Sequence, residues 1–353
     1  MMAVHVLPEV DPDGSLSTSE LITRGRASAA FAVLAGVALS LANGGTRPLT
    51  GRPWAAAATG LVVRCLLLAG IGLFLGGIDS GLAIILVYYA LLFLLAAPLL
   101  AMPARPLALL AVALAVWTPV ISHLARQDLP DKRGYSPFFT DLAVPGTLLR
   151  ELTLTGYYPV LTWTAYLCAG LAVGRLTLSS RRTASGLLLV GAGLAVGSAL
   201  VSRLLVDRAV DGGHLPAEAD RRLYSGVSPT DTWWWLVVDY PHTGTPLDLA
   251  ATTGSALALL GALLLAAPLL GLALMPLAYT GSMTLTLYSL HALALALEVG
   301  PADPEELYVS HIVVALLLAT GWRLVAARGP LENLVSTPSR GAAAHVLSSG
   351  SSR

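Results

Sequence analysis

The chain has 353 residues, 55% of them hydrophobic and 12% charged, with 21 Lys and Arg balancing 21 Asp and Glu. An average soluble domain carries about 25% charged residues, so this composition, with a mean hydropathy of +0.72, excludes an ordinary soluble domain. The zero net charge gives no basic surface for nucleic acid.

The chain begins Met1-Met2-Ala3-Val4-His5-Val6-Leu7, apolar but too short to span and without the basic n-region of a signal peptide. It reads as the last two turns of a helix whose start is missing. Apolar runs follow at 27–43, 54–76, 82–102, 106–124, 157–175, 185–206, 247–270, 277–297 and 307–327. Each approaches the ~20 residues that cross a bilayer, and internal prolines such as Pro119 and Pro268 are tolerated where neighbouring helices satisfy the freed backbone. The expectation is an all-α polytopic membrane protein: about nine full transmembrane helices and an N-terminal helix remnant, forming one domain over 1–330. The Ser-, Gly- and Ala-rich end, 331–353, lacks an apolar pattern and reads as a disordered tail.

Basic residues set the expected direction. Arg47 and Arg52, Arg105, then Arg175, Arg181 and Arg182 lie in alternate short connections, and Arg328, Arg340 and Arg353 follow the last span. The opposite short connections, 77–80 and 298–306, contain neither Lys nor Arg. The C-terminus is therefore expected in the cytoplasm, with the protein in the plasma membrane. The longer loops 8–26, 125–156 and 207–246 fall outside. Cys65 and Cys168 sit in apolar runs and read as packing residues, and no metal cluster is visible.

On this topology, six of the seven histidines fall on the outer side: His5, His123, His214, His242, His291 and His311. Imidazole exchanges protons near neutral pH, and in a membrane half it usually faces a polar cavity. The outer loops add Glu9, Asp11, Asp13 and Glu20 before Arg24-Gly25-Arg26, then Asp128, Asp131 and Asp141. Gly156-Tyr157-Tyr158-Pro159 opens the span at 157–175, Trp233-Trp234-Trp235 reads as an interfacial anchor first and a sugar-stacking platform second, and Asp239 stands three residues before His242. Arg64 lies in mid-span and is expected to face the bundle interior, paired with a carboxylate, a carbonyl or a ligand anion.

Met1 through His5, Gly25-Arg26-Ala27 through Val37, Thr155-Gly156-Tyr157-Tyr158-Pro159 through Arg175, and Gly281-Ser282-Met283-Thr284 through His291 together resemble the membrane acyltransferase family of heparan-α-glucosaminide N-acetyltransferase. The chain is similar to bacterial, mostly actinobacterial, proteins carrying that catalytic domain. The resemblance implies transfer of an acetyl or other acyl group from cytoplasmic acetyl-CoA or acyl-CoA to an extracytoplasmic sugar or envelope glycan. It carries over His5, matched to a histidine at the outer end of the first helix in the wider group; the Asp/Arg-rich start of that helix is absent here. His5 is the expected base, with His291 and Arg64 supporting it, and Arg64, Tyr157, Tyr158, Asp239 and His242 are expected to meet substrate. The bilayer and the glycan acceptor are the expected partners, and a homodimer stays open. The competing readings are a permease for a small solute or lipid-linked intermediate, and an inactive family member.

Overall fold

The computed structural model describes residues 1–12, 16–129, 136–219 and 224–349. Asp13, Asp131 and Arg353 lie outside the described residues. The described chain is all-helical: α1 (Met2–Val6), α2 (Thr18–Thr23), α3 (Arg26–Ala42), α4 (Gly51–Gly76), α5 (Leu86–Leu99), α6 (Ala104–Ala125), α7 (Pro145–Arg150), α8 (Val160–Gly174), α9 (Arg181–Asp211), α10 (Pro246–Leu270), α11 (Met275–Gly281), α12 (Thr284–Ala296), α13 (Pro304–Val325) and α14 (Pro330–Ser348).

Among the described residues, six helical stretches are long and apolar enough to cross a membrane: Thr18–Ala42, Gly51–Gly76, Ala104–Ala125, Arg181–Asp211, Pro246–Gly281 and Pro304–Val325. Three shorter apolar helices, Leu86–Leu99, Val160–Gly174 and Thr284–Ala296, occupy the remaining apolar runs of the sequence. Nine runs thus become helical, and six reach full spanning length. A 3₁₀ turn, Gly271–Leu274, links α10 to α11 in one 36-residue stretch.

Local chemistry sets the helix starts. Ser17 accepts from the Glu20 amide at 3.2 Å, Thr245 from Asp248 at 3.1 Å, and Asp303 from the Glu305 and Glu306 amides at 3.0 Å. These are N-caps that satisfy otherwise orphaned first-turn donors. Proline stands in the first turn of α7, α10, α13 and α14, where its missing N–H costs no helical bond.

The core is built on α3, α4, α5 and α8, with Val33, Leu92, Leu167 and Leu171 almost fully buried. Helices α3 and α8 pack backbone to backbone through small residues. A Cβ on Gly36 would stand 2.6 Å from the Leu167 carbonyl oxygen, and one on Gly170 would collide with that of Val33. Gly170→Ala should therefore force the pair apart and lower stability by about 2 kcal/mol, read as a lower melting temperature in detergent. Cys65 and Cys168 are buried free thiols in this packing.

The tail corrects the expectation of disorder. Residues 330–348 form α14, which runs antiparallel along α4. It carries little apolar pattern because it docks by close approach and polar contacts. Gly60 lies against Ser339 and Ala343, and Arg52 donates to the Val346 and Leu347 carbonyls at 2.8 and 3.0 Å. At its other end Glu332 accepts from the Leu285 and Thr286 amides at 2.7 and 3.0 Å and from the Thr286 hydroxyl at 2.6 Å. This carboxylate caps the start of α12 from another helix, the favourable charge for that end. Glu332→Ala should cost about 1 kcal/mol and speed amide hydrogen exchange over 330–348; unchanged exchange would remove Glu332 as the latch.

The bundle has two chemically distinct ends. Arg175, 4% exposed, donates to five carbonyls: Asn43, Gly45, Arg47, Leu100 and Met102, at 2.6–3.4 Å. The expected topology-setting arginine is thus a buried clamp on the C-terminal ends of α3 and α5. At the far end, the segment 224–245 folds over the helix ends and walls a cavity.

Candidate functional site

A cavity of about 350 Å³ opens at that far end, between α1, the start of α3, the approach to α5, the Tyr157-Tyr158 turn and the 224–245 segment. His5, Tyr157, Tyr158 and His242 line it together with Glu9, Arg24 and Ser225. Four of the seven expected site residues therefore meet in one cavity, although His5 and His242 are far apart in sequence.

The meeting depends on Gly226. Its φ of +110° is a left-handed conformation that L side chains rarely adopt, and a Cβ there would collide with the Gly156 carbonyl. Its amide donates to the His242 carbonyl at 2.9 Å, which ties the 224–245 segment to itself just where it presses on the Tyr157 turn. That turn follows a π-helical turn, Glu151–Thr155, a geometry frequent near functional sites. The Tyr157 amide donates to the Tyr88 hydroxyl at 3.3 Å, and the Tyr158 hydroxyl donates to the Ala83 carbonyl at 3.2 Å. The His242 ring packs edge-on to Tyr157 and Tyr158, with centroids 4.9 and 5.9 Å away. His242 itself holds φ +60°, an uncommon state for a non-glycine residue that concentrates at working sites.

His5 is the head of a chain. Its Nδ1 is 3.1 Å from His291 Nε2, and His291 Nδ1 is 2.9 Å from His311 Nδ1. The His5 and His291 rings stack at 5.3 Å, while His291 and His311 meet edge to face at 4.9 Å. Three histidines from α1, α12 and α13 are thereby joined by two hydrogen bonds. His291 sits behind His5 and does not line the cavity. Burial first, then the neighbouring His291, pushes the His5 imidazole down to about 3. It is neutral near pH 7, with a ring nitrogen able to accept a proton. His291 uses one ring nitrogen on each neighbour, so the three rings do not converge on one point as metal ligands would.

Arg24 is the functional candidate that the sequence reading passed over. It is 7% exposed, donates to Glu20 one helical turn back and to the Tyr224 carbonyl at 3.3 Å, and lies 3.7 Å from Glu9. It also hydrogen-bonds the Tyr157 side chain, whose hydroxyl burial pushes above the ordinary phenol range while Arg24 pulls it back. The readable signal was Ser17-x-x-Glu20 followed by Arg24: a capping pattern and an i,i+4 ion pair. Removing one partner of a buried pair strands the other charge. Arg24→Gln should cost about 3 kcal/mol, and the double variant with Glu20→Gln should recover part of that loss in a thermal-unfolding cycle.

Arg64 and Asp239 are placed elsewhere. Arg64 does not face the bundle interior: it is exposed on the flank of α4, with its guanidinium 5.9 Å from the centre of the Phe93 ring. The packed face of α4 is taken by Ala56, Gly60, Cys65, Leu68 and Gly72, and Glu332 of α14 is the carboxylate whose charge it feels. Asp239 is outside the cavity lining; burial raises its carboxyl above the usual range, against pulls from the Ser202 side and from Arg26. An acidic residue that shares a space with His242 is Asp248. The two line a second, single-water-sized space of about 10 Å³, and Asp248 Oδ2 accepts from the Gly244 amide at 2.9 Å.

The other histidines support the walls. His123, buried, packs on Trp233 at 4.6 Å, and His214 stacks on Trp234 at 5.4 Å. The third tryptophan of the triplet, Trp235, is core, 2% exposed, with its indole N–H donating to Asp231 at 2.8 Å. The triplet is thus partly internal packing rather than solely an interfacial anchor. All six histidines expected on one side gather at the cavity end of the bundle, and Arg175 marks the other. No protein-family model matches the chain, and no curated protein or solved structure matches it either.

Proposed function

We propose that the chain is an integral plasma-membrane acyltransferase whose cavity receives the acceptor, a sugar or envelope glycan, on the extracytoplasmic side. Acetyl-CoA or another acyl-CoA is the co-substrate, supplied from the cytoplasmic side, where the C-terminus lies. One observation carries the reading: His5, a neutral imidazole, faces a cavity of about 350 Å³ walled by Tyr157, Tyr158 and His242. That volume suits a small-molecule site, which spans about 300–1,000 Å³. Tyrosine and histidine rings offer a face and a polar edge to a sugar.

In this reading His5 takes the proton of the attacking hydroxyl or amine, and the Tyr157-Tyr158 wall holds the acceptor ring. Arg24 fixes Tyr157 in that wall through their hydrogen bond. His242, packed edge-on against both tyrosines, extends that wall. The test is incubation of purified protein with labelled acetyl-CoA and a panel of cell-envelope sugars, followed by mass spectrometry. A labelled acetyl group on at least one sugar supports the reading. Failure with every sugar, with a solute instead carried across proteoliposomes, would replace it by the permease.

A further inference from the structure

We propose that His5, His291 and His311 form a proton relay that carries the acceptor's proton from the cavity to the exposed connection between α12 and α13. The proposal rests on the acyl-transfer reading of the cavity and adds a route for the proton which that reading leaves on His5.

The geometry specifies the route atom by atom. Both contacts, 3.1 and 2.9 Å, are N–H···N distances, and each ring presents its two nitrogens in series. His5 spends Nδ1 on His291, which leaves Nε2 for the cavity that His5 lines. His311 spends Nδ1 on His291, and its Nε2 is 3.9 Å from the Cβ position of Gly300, an exposed residue. The chain therefore has one end at the cavity and one at the surface, with the buried His291 between.

The step balances. The acceptor's O–H or N–H proton goes to His5 Nε2 as the acceptor heteroatom bonds to the acyl carbon and the thioester C–S bond breaks, the coenzyme leaving as thiolate. The proton on His5 Nδ1 passes to His291 Nε2, that on His291 Nδ1 passes to His311 Nδ1, and that on His311 Nε2 leaves to water. Every ring begins and ends neutral, with its tautomer exchanged. This matters because burial holds His5 far below the ordinary imidazole range: a lasting imidazolium there is disfavoured, and passing a proton onward avoids it.

The test has two arms. The first is nitrogen-15 NMR of the full chain with labelled histidine, seeking couplings across the His5–His291 and His291–His311 hydrogen bonds. The second is turnover of His311→Ala, whose half-buried ring lies away from the cavity. The expected result is both couplings, with a kcat lowered about tenfold or more, KM unchanged and kcat restored by free imidazole in the buffer. A purely structural loss would not be restored by imidazole. Missing couplings in the wild type would overturn the relay, as would a His311→Ala enzyme with wild-type kcat, or a lowered kcat that imidazole leaves unchanged. If no acyl transfer occurs with any acceptor, the proposed function fails while the couplings still decide whether the relay exists.

Discussion

Arg175→Ala is expected to destabilise the protein by at least ~4 kcal/mol, enough to leave much of it unfolded in mild detergent. The guanidinium is buried and donates to five backbone carbonyls from two helix ends and the following turns. Those oxygens sit at the negative ends of α3 and α5, where a cation is most favourable. Truncation leaves several carbonyls without a donor in a site that water does not readily enter, each costing about 1–3 kcal/mol. Arg175→Lys should rescue only part of this, because one ammonium cannot span the fork from Asn43 to Leu100. Melting temperature and resistance to denaturing detergent measure both variants. An Arg175→Ala protein as stable as wild type would show that water or rearranged loops replace the clamp.

The second large effect is on chemistry. His5→Ala should reduce acyl transfer about 100-fold or more, the usual loss when a general base is removed, with little change in stability because α1 buries no residue fully. His242→Ala should instead raise KM more than it lowers kcat, since His242 contributes a wall and an edge-on contact to Tyr157 and Tyr158. A His5→Ala enzyme with wild-type kcat/KM would end the assignment of His5 as base.

Much of the architecture is legible in the sequence because membrane helices announce themselves by length and apolarity. The run at 157–175 becomes α8, Val160–Gly174, and the run at 106–124 becomes α6, Ala104–Ala125. The misses have physical causes. Helix α14 escapes a hydropathy reading because, beyond the single buried Val335, it is held by Gly60 contacts and by Arg52 and Glu332. Spanning length fails for α12 because Ser282-Met283 breaks the run 277–297 near its start, between α11 and α12.

The site was legible in its parts and not in its pairings. Histidines on alternate-side segments can be assigned to one end, yet His5 and His291 are 286 residues apart, and only the fold brings them within a hydrogen bond. Asp239 looked like the partner of His242 because it is three residues away; the fold leaves it outside the cavity lining, and Asp248 shares a second, smaller space with His242. Arg64 looked functional because a mid-span charge is costly. The fold places it on the exposed flank of α4 instead, with its guanidinium 5.9 Å from the centre of the Phe93 ring.

The most direct measurement is the melting temperature of the purified full chain with acetyl-CoA alone, with a sugar alone and with both. A ligand that binds only the folded state raises stability by about 2.7 kcal/mol at 100 times its dissociation constant. An acyltransferase of the proposed kind should show a saturable rise with acetyl-CoA. A melting temperature that ignores acyl-CoA while rising with a sugar or other solute would contradict acyl transfer and make the His5 cavity a stage in that solute's passage.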